Sequence, residues 1–348
     1  MKGMKRWIGV LAAGLGLFSV AAGAAVTRQV LSLPDVPLRP GVAVTLSATV
    51  FQSQPACLPS QTVLALHGLA HTAATYEPLA RTVFATPLAA RAVCRVVALD
   101  LPGHGLSGLP TGLRFGELTL DDYVAALDGA LPRLRARGMH VRALVGHSMG
   151  GEVIVLAQQA LANRGTSLRA AHGVAGVLLL APALPRPMAW SLADSGAAAQ
   201  VLGPFIGEDP VLGPVVRIPE PAWTALFFTN ASGTVVPGTP ANPHQRGYIA
   251  AESLFAGAQL TGTAPFVRPS VAAGLFAANR GTALGVVSFS DDVFLPPAEI
   301  AALHTHLTAS TSGMGHVTVT DPAAVHDMYL SNPSLMVQRA IAAFAALL

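Results

Sequence analysis

Ser148 lies in Gly146-His147-Ser148-Met149-Gly150, directly after the apolar run Val141 to Val145 and directly before a stretch of helical period from Gly150 to Asn163. A G-x-S-x-G pattern in that strand-turn-helix setting points to nucleophilic chemistry. The flanking glycines let the chain turn sharply and present the serine hydroxyl at the end of the strand. A hydroxyl is a poor nucleophile unless a base removes its proton and a carboxylate orients that base. The last quarter of the chain offers candidates for both: Asp291 and Asp292 in the loop Ser290 to Pro296, His316 in Gly313-Met314-Gly315-His316, and His326.

These groups need a scaffold, and the hydrophobic pattern describes one. Short apolar runs at Thr62 to Leu66, Arg95 to Leu99, Val141 to Val145, Gly176 to Leu180, Gly285 to Phe289 and Val317 to Thr320 follow a β-branched stretch from Val42 to Phe51. Segments of helical period alternate with them: Ala74 to Phe84, Leu120 to Arg137, Gly150 to Asn163, Pro297 to Leu307 and Ser334 to Leu348. That alternation predicts an α/β fold, a parallel sheet with helices packed on it. About 100 residues separate the run ending near Ala181 from the one starting at Gly285, too many for a structureless loop in a compact domain. The expected organisation is therefore a core domain of residues 25–182 and 281–348 with an inserted cap, or lid, of residues 183–280. The cap contains Trp190, Trp223, Phe227 and Phe228, read first as its own core and second as an apolar lining for a substrate.

Two further turns carry a resemblance. His67-Gly68-Leu69-Ala70 leaves one strand, and Asp100-Leu101-Pro102-Gly103-His104-Gly105-Leu106-Ser107 leaves the next. With the serine turn and their spacing, these motifs resemble the α/β-hydrolase superfamily, serine esterases and lipases in particular, over nearly all of the chain from about Val42 to Leu348 outside the cap. The resemblance implies a mostly parallel sheet of about eight strands with helices on both faces. It implies that the backbone N–H groups of Leu69 and Met149 form an oxyanion hole, and that His67 and His104 are structural turn residues. It also implies the order serine, acid, histidine. The carboxylate standing four residues before a helix-opening proline is then Asp292, with Asp291 as the alternative. The base is His326, which follows the last apolar run and has Pro333 seven residues on. His316 is the rival, and Val325 stands where the family pattern has glycine before the histidine.

The remaining histidines point to no metal site. His304 and His306 are two apart on a helix and do not share a face, no H-E-x-x-H occurs, and Cys57 and Cys94 are far apart in sequence. His71 is read as a loop or surface residue near the oxyanion turn, and His147 as the variable position of the elbow. No G-x-G-x-x-G follows a strand, so no nucleotide cofactor is expected. Asn230-Ala231-Ser232 fits a glycosylation sequon.

Composition bounds the partners and the compartment. The 348 residues are 52% hydrophobic and 11% charged, with a formal charge of +3. Lys2, Lys5 and Arg6 account for that excess, so the rest of the chain is formally neutral and offers no general basic field for nucleic acid or an anionic membrane. Met1 to Arg6, the apolar run Trp7 to Ala22 and Ala22-Gly23-Ala24 together read as a signal peptide of residues 1–24, which predicts a secreted or periplasmic protein. Export permits disulfides. If the strands beginning at Thr62 and Arg95 are parallel neighbours, Cys57 and Cys94 meet at one sheet edge and can bridge.

The expected activity is that of an exported serine hydrolase, a carboxylesterase or lipase acting without a cofactor on a small or lipid-like, uncharged ester, with no protein partner required. Lactonase, C–C hydrolase, aminopeptidase, thioesterase and perhydrolase activities share this machinery and stay open, as does a ligand-binding protein with little turnover. Dehalogenase and epoxide-hydrolase relatives carry aspartate at the elbow and do not fit Ser148.

Overall fold

The computed structural model describes residues 26–53, 57–58, 61–69, 71–183, 206–217, 220–239, 254–256, 271–277, 280–293, 295–309 and 315–341. The expected signal peptide and Trp190 lie outside the described residues.

Eight strands form the main sheet: β1 (Thr27–Arg39), β2 (Val42–Gln52), β3 (Thr62–Leu66), β4 (Arg95–Asp100), β5 (Val141–His147), β6 (Gly176–Leu180), β10 (Ala283–Phe289) and β11 (His316–Val319). Their spatial order is β1-β2-β4-β3-β5-β6-β10-β11. All neighbours from β4 to β11 are parallel, and β2 runs antiparallel to both β1 and β4. The central strands are buried throughout, as parallel strands covered on both faces must be. Residues alternate between the two layers: Leu64 and Leu66 pack in one core, Val63 and Ala65 in the other.

The first core is covered by helices α3 (Leu120–Ala136) and α4 (Met149–Asn163), joined by the helix Pro297–Thr308 through Ile300, Leu303 and Leu307. The second is covered by α1 (Glu77–Ala85) and by Met328, Met336, Val337 and Ile341 of the C-terminal region. Between β6 and β10 the chain forms a separate antiparallel sheet of β7 (Ile206–Asp209), β8 (Gly213–Arg217) and β9 (Leu254–Ala256), with the helix Glu220–Phe227 between β8 and β9 in the chain.

The structure adds one strand and adjusts two expectations. β1 is a strand that the sequence conceals, because Pro34 and Pro37 interrupt it. An edge position tolerates them, and its register with β2 shifts at both places. The expected helix Ser334 to Leu348 starts at Pro333 and continues without a break through Ile341, its second half, Val337–Ile341, being π-helical; the separate turn Met328–Ser331 precedes it, and residues 342–348 lie outside the described residues. The last strand starts at His316, so that residue belongs to the strand and not to a preceding loop.

Cys57 and Cys94 are disulfide-bonded, with Cα atoms 5.8 Å apart. The bridge sits where β3 and β4 pair as Thr62 with Arg95. Among the described residues no helix is long and apolar enough to cross a membrane.

Candidate active site

The turn after β5 is built by close approach. Ser148 has φ 49° and ψ −121°, a conformation L-residues rarely adopt, and caps the N-terminus of α4. A Cβ on Gly146 would sit 2.6 Å from the carbonyl oxygen of Gly150, and one on Gly150 would strike the carbonyl of Leu66 on β3. A Cβ on Gly68 would fall 3.0 Å from His147 Nδ1 and 3.1 Å from Ser148 Cβ. The glycines therefore bring the ends of β3 and β5 together with Ser148 at the junction. The amide of Ser148 donates to Leu180 O (3.0 Å), and its own carbonyl accepts from Gly151, Glu152 and Ala183, so the strained turn is anchored on both sides.

Leu69 follows the Gly68 turn, and Met149 is the first residue of α4, where N–H groups lack intrahelical partners. The Gly68 turn is braced from β4. The buried Asp100 carboxylate accepts from the amides of Ala73 (2.6 Å) and Leu106 (3.1 Å), and His67 Nε2 accepts from the Leu101 amide (3.1 Å). Burial pushes Asp100 up to about 6 despite these bonds. Gly105 has a positive φ and approaches the Asp100 carboxylate where no Cβ fits, which explains that glycine of the loop motif.

Asp292 and His326 come together. His326 Nδ1 donates to Asp292 Oδ2 at 2.8 Å, and Asp292 Oδ1 accepts from the Leu295 amide at 2.8 Å; both side chains are buried. Burial disfavours the charged imidazole, but the charge and hydrogen bond of Asp292, with Asp327 behind it, outweigh burial and hold the His326 pKa above its ordinary value. The alternatives lie elsewhere. Asp291 accepts from the Ala231 amide (3.3 Å) and from Ser290 Oγ (2.9 Å), and His316 Nε2 meets Ser288 Oγ at 2.8 Å.

A matching family model now joins this geometry: the description "Alpha/beta hydrolase family" fits residues 63–328, most of the chain. The chain belongs to the alpha/beta hydrolase family. Solved hydrolases share its fold at low identity. A carboxylesterase from Bacillus subtilis superposes with a TM-score of 0.57 at 14% identity, covering 93% of each chain. The naproxen esterase of Bacillus subtilis gives 0.56 at 13%, covering 90% of each. A thermophilic esterase from Thermogutta terrifontis gives 0.53 at 16%, covering 89% of this chain and 96% of its own. No curated protein matches the sequence.

Around this alpha/beta-hydrolase site lies a buried polar cluster that the sequence did not reveal. His71 is not a surface residue: it is 1% exposed, and its Nε2 lies 3.0 Å from Asp327 Oδ2. His147 is more than a variable elbow position, since its Nε2 donates to the His326 carbonyl at 3.0 Å and lies 3.5 Å from Asp327 Oδ1. Burial, reinforced by repulsion from His326, lowers the His147 pKa well below the ordinary imidazole value, so it is the neutral Nε2–H tautomer. Among the described residues His147, His326 and Asp327 form the one group with three potential metal-ligand atoms, within 4.8 Å of one another. His147 Nε2 and His326 Nδ1 are already engaged as hydrogen-bond donors, and the group is read as a hydrogen-bond network. Adjacency of Asp327 to His326 was the sole sequence signal for it.

Trp223, Phe227 and Phe228 are all buried. The Phe227 ring lies 5.3 Å from that of His326, tilted by 40°, and Trp223 lies 5.3 Å from His71, so this helix closes over both histidines. Asn230 Oδ1 accepts from Ser232 and Thr234, which commits the sequon's amide to a turn.

Proposed function

We propose that this alpha/beta hydrolase is a serine ester hydrolase. The supporting observation is the buried Asp292–His326 pair at 2.8 Å, which fixes the proton on His326 Nδ1 and leaves the Nε2 lone pair to act as base. In the proposed reaction Ser148 gives its Oγ proton to His326 Nε2 as Oγ bonds to the ester carbonyl carbon. The amides of Leu69 and Met149 receive the negative oxygen; such donors typically contribute about 3 kcal/mol each. Collapse breaks the bond to the alcohol, which takes the proton from His326. Water then repeats the sequence on the acyl-enzyme, releasing the acid and restoring Ser148.

In this reading residues 183–280 are a cap over the site, and the aromatic helix beside His326 and His71 favours an uncharged, hydrophobic ester. Residues 1–24 are removed on export, and the Cys57–Cys94 bridge fits an oxidising compartment. N-terminal sequencing of exported protein should therefore begin at Ala25.

The deciding experiment is steady-state hydrolysis of p-nitrophenyl esters from acetate to palmitate, with Ser148→Ala alongside. Turnover that disappears in the variant supports the reading. Equal rates in both proteins, or no turnover by the folded wild type, would overturn it.

A further inference from the structure

Both ring nitrogens of His71 face oxygen atoms. Nδ1 lies 2.6 Å from the carbonyl of Leu69, and Nε2 lies 3.0 Å from Asp327 Oδ2. A carbonyl can only accept, and an ionised carboxylate can only accept, so each contact needs an N–H on the ring. A neutral imidazole carries one such hydrogen and would set a lone pair against the other oxygen inside the protein, where His71 is 1% and Asp327 0% exposed. We propose that His71 is a buried imidazolium paired with an ionised Asp327, and that this pair is a positioning device that locks the Leu69 turn to the loop carrying His326. The inference rests on the ester-hydrolase reading for its catalytic consequence, and on geometry alone for the ion pair.

Asp327 is suited to such a role because four parts of the site meet on it. Oδ2 receives His71 and thereby the oxyanion turn; Oδ1 faces His147 of the elbow at 3.5 Å; its backbone follows His326 directly; and its amide donates to the Phe227 carbonyl at 3.1 Å. Burial favours the neutral acid, but His71, by charge and hydrogen bond, and then His147 and His326, overcome that and hold Asp327 below the usual carboxylate range. The groups facing His71 from other elements are His147 on β5 (ring centroids 5.9 Å), Tyr329 (6.4 Å), and His67 and His104 in the turns after β3 and β4. Both of the last two are lowered first by burial and additionally by His71. Asp327 is the carboxylate hydrogen-bonded to this ring. Its charge makes the buried pair neutral as a unit, the condition under which buried ions persist.

The Leu69 carbonyl bond is the mechanical link. That carbonyl belongs to the Leu69–Ala70 peptide, so holding it restrains the backbone on one side of Leu69, while His67 Nδ1, donating to the Gly68 carbonyl at 2.8 Å, holds the Gly68–Leu69 peptide whose N–H would meet the oxyanion. A misdirected donor costs transition-state binding and leaves ground-state binding largely intact, so the signature is in kcat and not in KM.

Nitrogen-15 NMR of the full-length mature protein, with His71 assigned by comparison with His71→Phe, reads the protonation state directly. At pH 7 both ring nitrogens of wild-type His71 should carry protons, and in Asp327→Asn the ring should become a neutral tautomer. Asp327→Asn should also lower kcat on the best p-nitrophenyl ester by about 10²-fold with KM changed less than about twofold. A neutral His71 in the wild type, or wild-type kcat in a folded Asp327→Asn, would overturn the inference. Should Asp327→Asn not fold, the double variant His71→Phe with Asp327→Asn removes both charges together, and its kcat must fall by a similar factor. If no ester is turned over by the wild type, the functional reading fails while the NMR spectrum still decides the ion pair.

Discussion

Two groups of buried histidines flank the Gly68 turn, and they have opposite electrostatic characters. His67 and His104, with ring centroids 5.0 Å apart, are enclosed by turn backbone and by Phe115 and Tyr123. Among the described residues no acid is hydrogen-bonded to either ring; burial drives His67 well below the ordinary imidazole value and His104 down to about 4. His71 and His326 are as deeply buried, yet each is hydrogen-bonded to a buried carboxylate, Asp327 and Asp292 respectively, and His326 is shifted upward. Burial is common to both groups. At His326 the carboxylate offsets burial and favours the protonated ring, which no partner does for His67 or His104 among the described residues.

The largest test of that contrast removes the acid-linked partner. His326→Ala is expected to reduce kcat/KM for ester hydrolysis by about 10⁵-fold or more, and Asp292→Asn by about 10⁴-fold, with both proteins keeping the wild-type circular dichroism spectrum. The pH profile separates the roles. In the proposed mechanism the neutral form of His326 is the base, so activity should fall as pH drops through its pKa. Because Asp292 raises that pKa, the wild-type acid limb should have its midpoint above the ordinary value of about 6.5, and in Asp292→Asn the residual activity should have a lower midpoint. An unchanged midpoint would mean that the carboxylate does not tune the base. The stability linkage has the opposite sense: the contribution of this histidine is fully present below about pH 6.5 and is lost as pH rises through the folded value.

The neutral pair predicts a stability effect and little catalysis. Between about pH 6.5 and 4 the unfolded chain protonates His104 while the folded chain does not, so acid unfolds the protein through this residue. Its share approaches about 3 kcal/mol over that window. His104→Phe keeps an aromatic ring among His67, Phe115 and Tyr123, and should flatten the loss of stability between pH 6.5 and 4 measured by urea unfolding. Its kcat/KM at pH 8 should stay within about threefold of wild type. A steep acid loss that persists in the variant would assign the effect to His67 and His147 instead.

How much of this contrast was legible beforehand depends on whether a residue is specified by local chain geometry or by long-range contact. The strands Thr62–Leu66 and Gly176–Leu180 match their apolar runs, because a parallel strand buried on both faces reads as a near-continuous apolar run. The elbow was legible since its glycines answer to backbone contacts within one turn and to one neighbouring strand. The family order, with Pro296 four residues after Asp292 and with His326 following the last apolar run and preceding Pro333, points to these two residues, and the structure brings them within hydrogen-bond distance. His71 and Asp327 are 256 residues apart, and nothing in the local sequence of either announces the other. The β7-β8-β9 sheet was equally hidden, being short strands inside a long Pro- and Gly-rich connection.

The smallest expected effect concerns the histidine whose sequence context looked most like a catalytic loop. His316 follows Gly313-Met314-Gly315, but it is the first residue of β11, paired in register with Val286, and its Nε2 meets Ser288 Oγ, which also contacts Thr318. Burial and His304 lower its pKa, and it is hydrogen-bonded to a hydroxyl where His326 has a carboxylate, so it resembles the neutral pair in character. His316→Ala should therefore cost about 1 kcal/mol of stability for the lost hydrogen bond and leave kcat/KM within about twofold. Measured beside His326→Ala, this variant divides the two histidines by function. Loss of activity in His316→Ala with wild-type activity in His326→Ala would reverse the base assignment. It would also show that a carboxylate partner is not what marks the working histidine in this protein.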